Sequence, residues 1–233
     1  MVMGLLLITA ALCLVLYNTW DSRRAGIASE SAREELVLSI GQKLSTHEAP
    51  AAQTTISAPS ALQGTQKPDA PEAAAAAEPI ARIYENCPTL PDEVPAVPVM
   101  ATETLDGENS IGIVEIPGLN LSLPVIENWD YEKLKIAPCR YCGSYYMNDL
   151  VICGHNYAEH FASLQYIKIG EDVYFTTMNG EAIHYIVSNR QTVLPQQIDT
   201  MIDNTQEKWD LTLFTCYTGG RTRCAVRCIR VDE

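Results

Sequence analysis

A chain of 233 residues with 47% apolar residues, 19% charged residues and a formal net charge of −13 has room for one or two domains. The acidity is shared between the N-terminal and C-terminal halves, which argues against nucleic acid as a partner and fits a solvated exterior.

Met1 to Tyr17 is apolar except for Thr9. With Trp20 as an interfacial aromatic, the segment reaches the ~20 residues that span a bilayer. A cleaved signal peptide needs a basic n-region and a small-x-small site, but Tyr17-Asn-Thr-Trp-Asp-Ser-Arg23-Arg24 follows instead. The expectation is an uncleaved transmembrane anchor over residues 1–20. Arg23 and Arg24 follow the span and no Lys or Arg precedes it, a balance that alone would leave the rest of the chain in the cytoplasm. Ser31-x-x-Glu34 matches a capping box, and Leu36, Val37, Ile40 and Leu44 fall on one face. They predict an amphipathic juxtamembrane helix within residues 21–44, either continuing the anchor as a stalk or lying on the membrane.

Residues 45–104 are rich in Ala, Pro, Thr and Ser, with five alanines at 73–77. Such a segment has too little apolar bulk to fold and reads as a passive tether. Removing residues 1–79 is therefore expected to leave a soluble, active domain.

Residues 105–233 carry the folded pattern. Ile111–Ile116 and Leu121–Val125 read as strands around a Pro117-Gly118 turn, and Asp130 caps a short helix to Ile136. Ser144–Met147 and Leu150–Cys153 follow as extended segments, and Tyr157, Phe161 and Leu164 recur at helical spacing. Asp172–Thr177 and Ala182–Leu194 form a hairpin across Asn179-Gly180. Pro195–Lys208 is a long loop with room for one helical turn. Leu211–Cys216 and Arg223–Val231 are joined across Gly219-Gly220. About eight short strands in ~120 residues predict a mainly β domain, a closed or nearly closed eight-stranded barrel with a few short helices.

The chain has eight cysteines. Cys139/Cys142 and Cys224/Cys228 are conceivable zinc half-sites, but strand residues four apart lie ~13 Å apart, too far for one tetrahedral ion. Buried free thiols are the first expectation.

Cys216 stands at a strand's end, and Arg223 follows seven residues later on the returning strand. A cation there favours thiolate over thiol and stabilises a developing oxyanion. Leu150–Cys153 leads to Gly154 and His155, a histidine presented at a strand end, where catalytic groups are often found. Cys153, His160, His184 and Arg221 are the rivals for these roles, and Arg227 and Arg230 read as a solvated basic edge.

Leu-Thr-Leu-Phe-Thr-Cys216 resembles the sortase signature T-L-x-T-C, with Thr212, Leu213, Thr215 and Cys216 on its fixed positions. Gly154-His155 and Arg223-Cys-Ala-Val226 resemble the histidine and arginine segments of that family. The stretch after His155 is similar to class B-like sortases, although there is no room for a long inserted helix before the cysteine strand, so a related, less-described class stays open.

The resemblance implies a sortase-like barrel and a membrane-anchored cysteine transpeptidase of the Gram-positive surface, with its catalytic domain outside the cell. Its catalytic residues would be His155, Cys216 and Arg223, with Thr215, Leu213, Asn156 and Leu194 contacting substrate. Its partners would be surface proteins bearing C-terminal LPXTG-like signals, an amine of a cell-wall precursor or pilin, and the membrane. No metal or organic cofactor is needed; Glu171, Asp172 and Glu181 are candidate calcium ligands that read more simply as solvated surface. A non-catalytic surface binding module and a mainly hydrolytic sortase remain as alternatives.

Overall fold

The computed structural model describes residues 2–47, 98–105, 107–197, 199–202, 209–217 and 219–231. The linker, apart from 45–47 and 98–104, lies outside the described residues, as do Cys87 and the stretch 203–208.

Nine strands make the sheet: β1 (Glu103–Leu105), β2 (Glu108–Ile116), β3 (Leu121–Ile126), β4 (Cys139–Cys142), β5 (Leu150–Gly154), β6 (Asp172–Thr177), β7 (Ala182–Val193), β8 (Leu211–Cys216) and β9 (Arg223–Arg230). Their order is β1-β2-β3-β4-β5-β8-β9-β7-β6, and β6 returns to pair with β2. β2 through β9 thus close an eight-stranded ring, with β1 added at one end of β2. Most pairs are antiparallel; β3–β4 and β5–β8 are parallel. Closure leaves few open edges, as the strand count predicted.

The barrel interior holds Ile111, Val114, Val125, Ile152, Phe175, Tyr185, Leu211, Leu213, Val226 and their neighbours. Its outer wall carries a second apolar cluster in which Val151, Cys153, Val193, Phe214 and Ala225 meet Leu134, Ala137, Cys139 and Tyr141. Cys139, Cys142, Cys153, Cys224 and Cys228 are buried free thiols. The two imagined zinc half-sites lie on opposite sides of the wall, Cys224 and Cys228 inside and Cys139 and Cys142 outside. Among the described residues no group of three acidic, histidine or cysteine side chains is placed to hold a metal ion. Asp172 is instead paired with His184 at 2.8 Å.

Several local expectations need correction. Ser144–Met147 is a turn region rather than an extended segment, and the strand here is Cys139–Cys142. The predicted helix at 130–136 shrinks to a 3-10 turn, Lys133–Lys135, although Asp130 Oδ1 does accept from the Glu132 N–H at 2.7 Å. After His155 the helical element is a 3-10 helix, Phe161–Tyr166. The loop before β8 includes a 3-10 turn, Pro195–Gln197, and a short helix, α2 (Asp199–Ile202), numbered after the N-terminal helix α1.

The N-terminal helix continues from the apolar segment, one of the two expected arrangements, but its docking on the barrel was not expected. A single helix, α1, runs from Val2 to His47, so Ser31 is interior to it and caps nothing. Its first part is exposed throughout, long and apolar enough to cross a membrane, and is a candidate anchor. Its second part lies on the barrel. Ser22, Ala25, Ser29, Leu36 and Ile40 are buried at one helical stripe, and Leu36 and Ile40 pack with Ile113 and Met178. Lys43 bonds Glu103 of β1. Val37 and Leu44, expected on the same face, are half exposed. Ile113 points outward from β2 and is buried because α1 covers it.

This packing places part of residues 1–79, expected to be removable without loss of a soluble, active domain, against the barrel. Deleting them is expected to uncover Ile113 and Met178 and to lower the thermal midpoint by several degrees, since ~1 kcal/mol corresponds to ~4 °C in a domain of this size. An unchanged midpoint would show that α1 adds nothing to barrel stability.

Candidate active site

The site is built by register. β5 and β8 run parallel with Gly154 opposite Thr215, so His155, just past β5, and Cys216, the last residue of β8, come side by side. β8 and β9 are antiparallel with Cys216 directly opposite Arg223. Three neighbouring strand ends therefore bring His155, Cys216 and Arg223 to one end of the barrel. Alternation fixes the face. Phe214 and Ala225 belong to the outer cluster, so Cys216 and Arg223, two residues from each, share that outer face.

The same alternation corrects two expected substrate contacts. Leu213 is fully buried in the barrel interior, and Thr215, on the same side of β8, is 3% exposed. Both support the strand from within and present no side chain to a groove. Leu194 is exposed just beyond β7, and Asn156 is half-buried beside His155. Asn156 helps line a cleft of about 440 Å³ shared with Asn18, Thr19 and Ser22 of α1.

Arg223 is 4% exposed, and its Nη1 donates to the carbonyls of Gly220 at 2.8 Å and Thr222 at 3.3 Å. The Gly219-Gly220 turn, with both φ values positive (87° and 68°), suits glycine and supplies one of those carbonyls. Arg221 is exposed in the turn, two residues short of the Cys216 register. Arg227 is the surprise. Expected on a solvated edge, it is 1% exposed, with its guanidinium 3.9 Å from the Trp209 ring centroid and Nη1 donating to Thr212 Oγ1 at 3.1 Å. Stacking and hydrogen bonding compensate its burial.

Burial pushes the Cys216 thiol above its ordinary 9.0, and Arg223 opposes this only in part. Burial, and then Lys135, pull His155 below 6.5, against the smaller opposing charges of Asp21 and Glu132. The resting pair at neutral pH is a thiol and a neutral imidazole. Among the described residues Nε2 of His155 is buried without a hydrogen-bond partner, so it holds no bond to Cys216. The imidazole is instead held by rings. Tyr157 stacks on it with centroids 4.6 Å apart at 27°, and Tyr131 meets it edge-on at 5.4 Å and 75°.

Neither tyrosine figured in the sequence reading as a site residue. Tyr157, an aromatic two residues after His155, was the one available signal; Tyr131 lies on a distant segment and had none. The rivals fall elsewhere. Cys153 is fully enclosed, its thiol raised by burial and donating to the Cys139 carbonyl at 3.4 Å. His160 is completely buried and pushed down to about 4, chiefly by burial. His184 stacks on Tyr174 at 4.7 Å.

Gly154 holds the histidine strand against the core. A Cβ there would lie 2.5 Å from Cδ2 and 2.7 Å from Cγ of Phe161, a ring that is itself fully buried. Gly154→Ala is expected to cost about 1–3 kcal/mol by overpacking and to displace His155, lowering both thermal midpoint and activity. Wild-type values of both would show that the Phe161 ring swings aside.

A family model described as the sortase domain matches residues 114–231, half of the chain. Sortase D of Bacillus subtilis (strain 168) is 33% identical over 110 residues, which are 46% of this chain and 54% of that protein. The chain thus spans about half the length of the curated relative it matches. Among solved structures, sortase A from Corynebacterium diphtheriae is 27% identical with a TM-score of 0.47, covering 54% of this chain and 62% of its own. A pilus-related sortase C of group B Streptococcus is 25% identical with a TM-score of 0.46, covering 53% and 68%. The family match takes in the histidine, cysteine and arginine strands together, and on that match the chain belongs to the sortase family.

Proposed function

We propose that the protein is a membrane-anchored cysteine transpeptidase of the Gram-positive cell surface, with its barrel outside the cell. It would cleave an LPXTG-like sorting signal and join the product to an amine of a cell-wall precursor or a pilin. The observation that carries this reading is the register that sets His155, Cys216 and Arg223 on three adjacent strand ends. The similarity to Sortase D favours the less-described class over a class B-like enzyme.

The chemistry follows from the groups present. The Cys216 thiolate attacks the carbonyl carbon of the threonine-like residue, forming the C–S bond and a tetrahedral oxyanion. Arg223 meets that oxyanion or the adjacent substrate backbone by charge-assisted hydrogen bonds. As the intermediate collapses the C–N bond breaks, and the His155 imidazolium gives its proton to the departing amine. The acceptor amine then attacks the thioester, its proton passes to His155, and the thiolate is released. The substrate would lie over the outer apolar cluster around Phe214, Ala225 and Val193, with exposed Leu194 beside it. No metal or organic cofactor takes part.

The reactive form is thiolate with imidazolium, a minority arrangement carrying the same number of protons as the resting thiol–imidazole pair. Its population is therefore constant between the two pKa values. Below the His155 value both groups are protonated, and above the Cys216 value neither is. kcat/KM is expected to rise with pH through a limb below 6.5, run level, and fall through a limb above 9.0, because burial moves the two groups in those directions. Thiolate absorbance in wild type against Cys216→Ser checks the assignment. A Cys216 thiolate titrating at or below neutrality would contradict it.

Product analysis of LPXTG-like peptides with and without an amine acceptor tests the function itself. Ligated product that grows with acceptor concentration supports transpeptidation. Hydrolysed peptide alone would make the protein a hydrolase, and no turnover, with a Cys216 inert to thiol reagents, a binding module.

A further inference from the structure

We propose that the anchor helix is part of the catalytic apparatus: Asp21 of α1 holds the Tyr157 hydroxyl, and Tyr157 holds the His155 ring, making Asp21 and Tyr157 positioning residues for the histidine. The inference rests on the role given to His155 above.

Tyr157 Oη donates to Asp21 Oδ2 at 2.6 Å across 136 residues of sequence. Its ring is the one stacked on His155. The whole loop after the histidine is clamped to the same stretch of helix. The Ala158 N–H donates to Ser22 Oγ at 3.2 Å, and Gly26 is so close to Glu159 that a Cβ would lie 2.7 Å from its Cγ. Ser22 and Ala25 are buried in this contact. The small residues of α1 that seemed featureless in sequence let the helix approach the loop this closely.

A general acid–base histidine needs a third group to fix its ring. Among the described residues Nε2 of His155 has no hydrogen-bond partner, and Tyr157 and Tyr131 pack on the ring. Tyr131 belongs to the barrel domain, whereas Tyr157 is tied to the helix that carries the apolar anchor. The charged and titratable groups around the imidazole are Asp21 from α1, Lys135 and Glu132 from the segment bearing Tyr131, and His160 from its own loop. An enzyme lacking α1 would keep all three proposed catalytic residues yet lose the Asp21 half of this support.

The test uses the full chain in lipid nanodiscs, with Asp21→Asn, Asp21→Ala and Tyr157→Leu. Two readouts are taken: steady-state kinetics on an LPXTG-like peptide, and NMR titration of the imidazoles with His155 assigned through His155→Gln. Asp21→Ala and Tyr157→Leu are expected to lower kcat on the order of ten- to a hundredfold by misplacing the ring, with KM nearly unchanged. The His155 titration should move in opposite directions. Tyr157→Leu relieves burial and raises it toward 6.5, whereas Asp21→Asn removes a favourable negative charge and lowers it further. A merely structural defect would not produce opposite shifts. Unchanged kcat and an unchanged His155 titration in folded variants would overturn the proposal. If His155→Gln keeps activity, the catalytic part of the proposal falls with that histidine's role, while the titrations still decide whether Asp21 and Tyr157 hold the ring.

Discussion

Cys216→Ala is expected to reduce peptide cleavage by at least about a thousandfold while leaving the barrel folded, as loss of a covalent nucleophile does elsewhere. The side chain stands half-buried at the end of β8, with Phe214 and Thr215 below it already in the packed wall. Removing one sulfur there opens little cavity. Cys153→Ala is the matching control. That thiol is fully enclosed on the neighbouring strand and bonded to the Cys139 carbonyl, so its loss should cost stability before activity. Circular dichroism and cleavage rates on both variants separate the two. Cleavage retained in Cys216→Ala and lost in Cys153→Ala would transfer the nucleophile to β5.

Arg223 carries the second large effect. A guanidinium has five N–H donors in a rigid fork, and Nη1 is already engaged with the carbonyls of Gly220 and Thr222. The fork can hold the turn and still face the thiol across the strand pair. An ammonium cannot reproduce that geometry. Arg223→Lys and Arg223→Ala are both expected to lose on the order of 3 kcal/mol of transition-state stabilisation, a hundredfold or more in kcat/KM. A role limited to lowering the thiol pKa through space would leave the lysine variant largely active. Arg221→Ala, altering an exposed turn residue, should be nearly neutral. Damage there, with both Arg223 variants active, would refute the assignment.

The barrel was legible because its strands are short, β-branched and punctuated by Asn179-Gly180 and Gly219-Gly220. The cysteine, histidine and arginine segments were singled out mainly by their resemblance to sortase segments, Thr-Leu-Phe-Thr-Cys216 above all, with strand-end position as a supporting sign. β4 was missed since Cys-Arg-Tyr-Cys is four residues long, with only Arg140 partly exposed; no alternation marks it. Leu213 and Thr215 were misplaced although period-two logic from an outward Cys216 sends both inward. Arg227 was read by charge, yet its partners, Trp209 and Thr212, come from neighbouring positions that only the folded register brings together. The extent and docking of α1 were hidden for a different reason. Its buried stripe begins with Ser22, Ala25 and Ser29, small residues with almost no hydrophobic signal, whose burial depends on a close backbone approach. Sequence patterns report apolar burial well and close packing of small residues poorly.

If Cys216 is the nucleophile, it forms a thioester with a sorting-signal peptide. Intact mass spectrometry of the full chain, incubated with L-P-x-T-G-like peptides and no amine acceptor, detects that thioester. The expected result is an added mass equal to the peptide acid up to and including its threonine-like residue, less one water. That mass should map to the peptide containing Cys216, be released by hydroxylamine, and be absent from Cys216→Ala. An adduct at Cys153 or another cysteine, or cleavage that persists in Cys216→Ala, would contradict it.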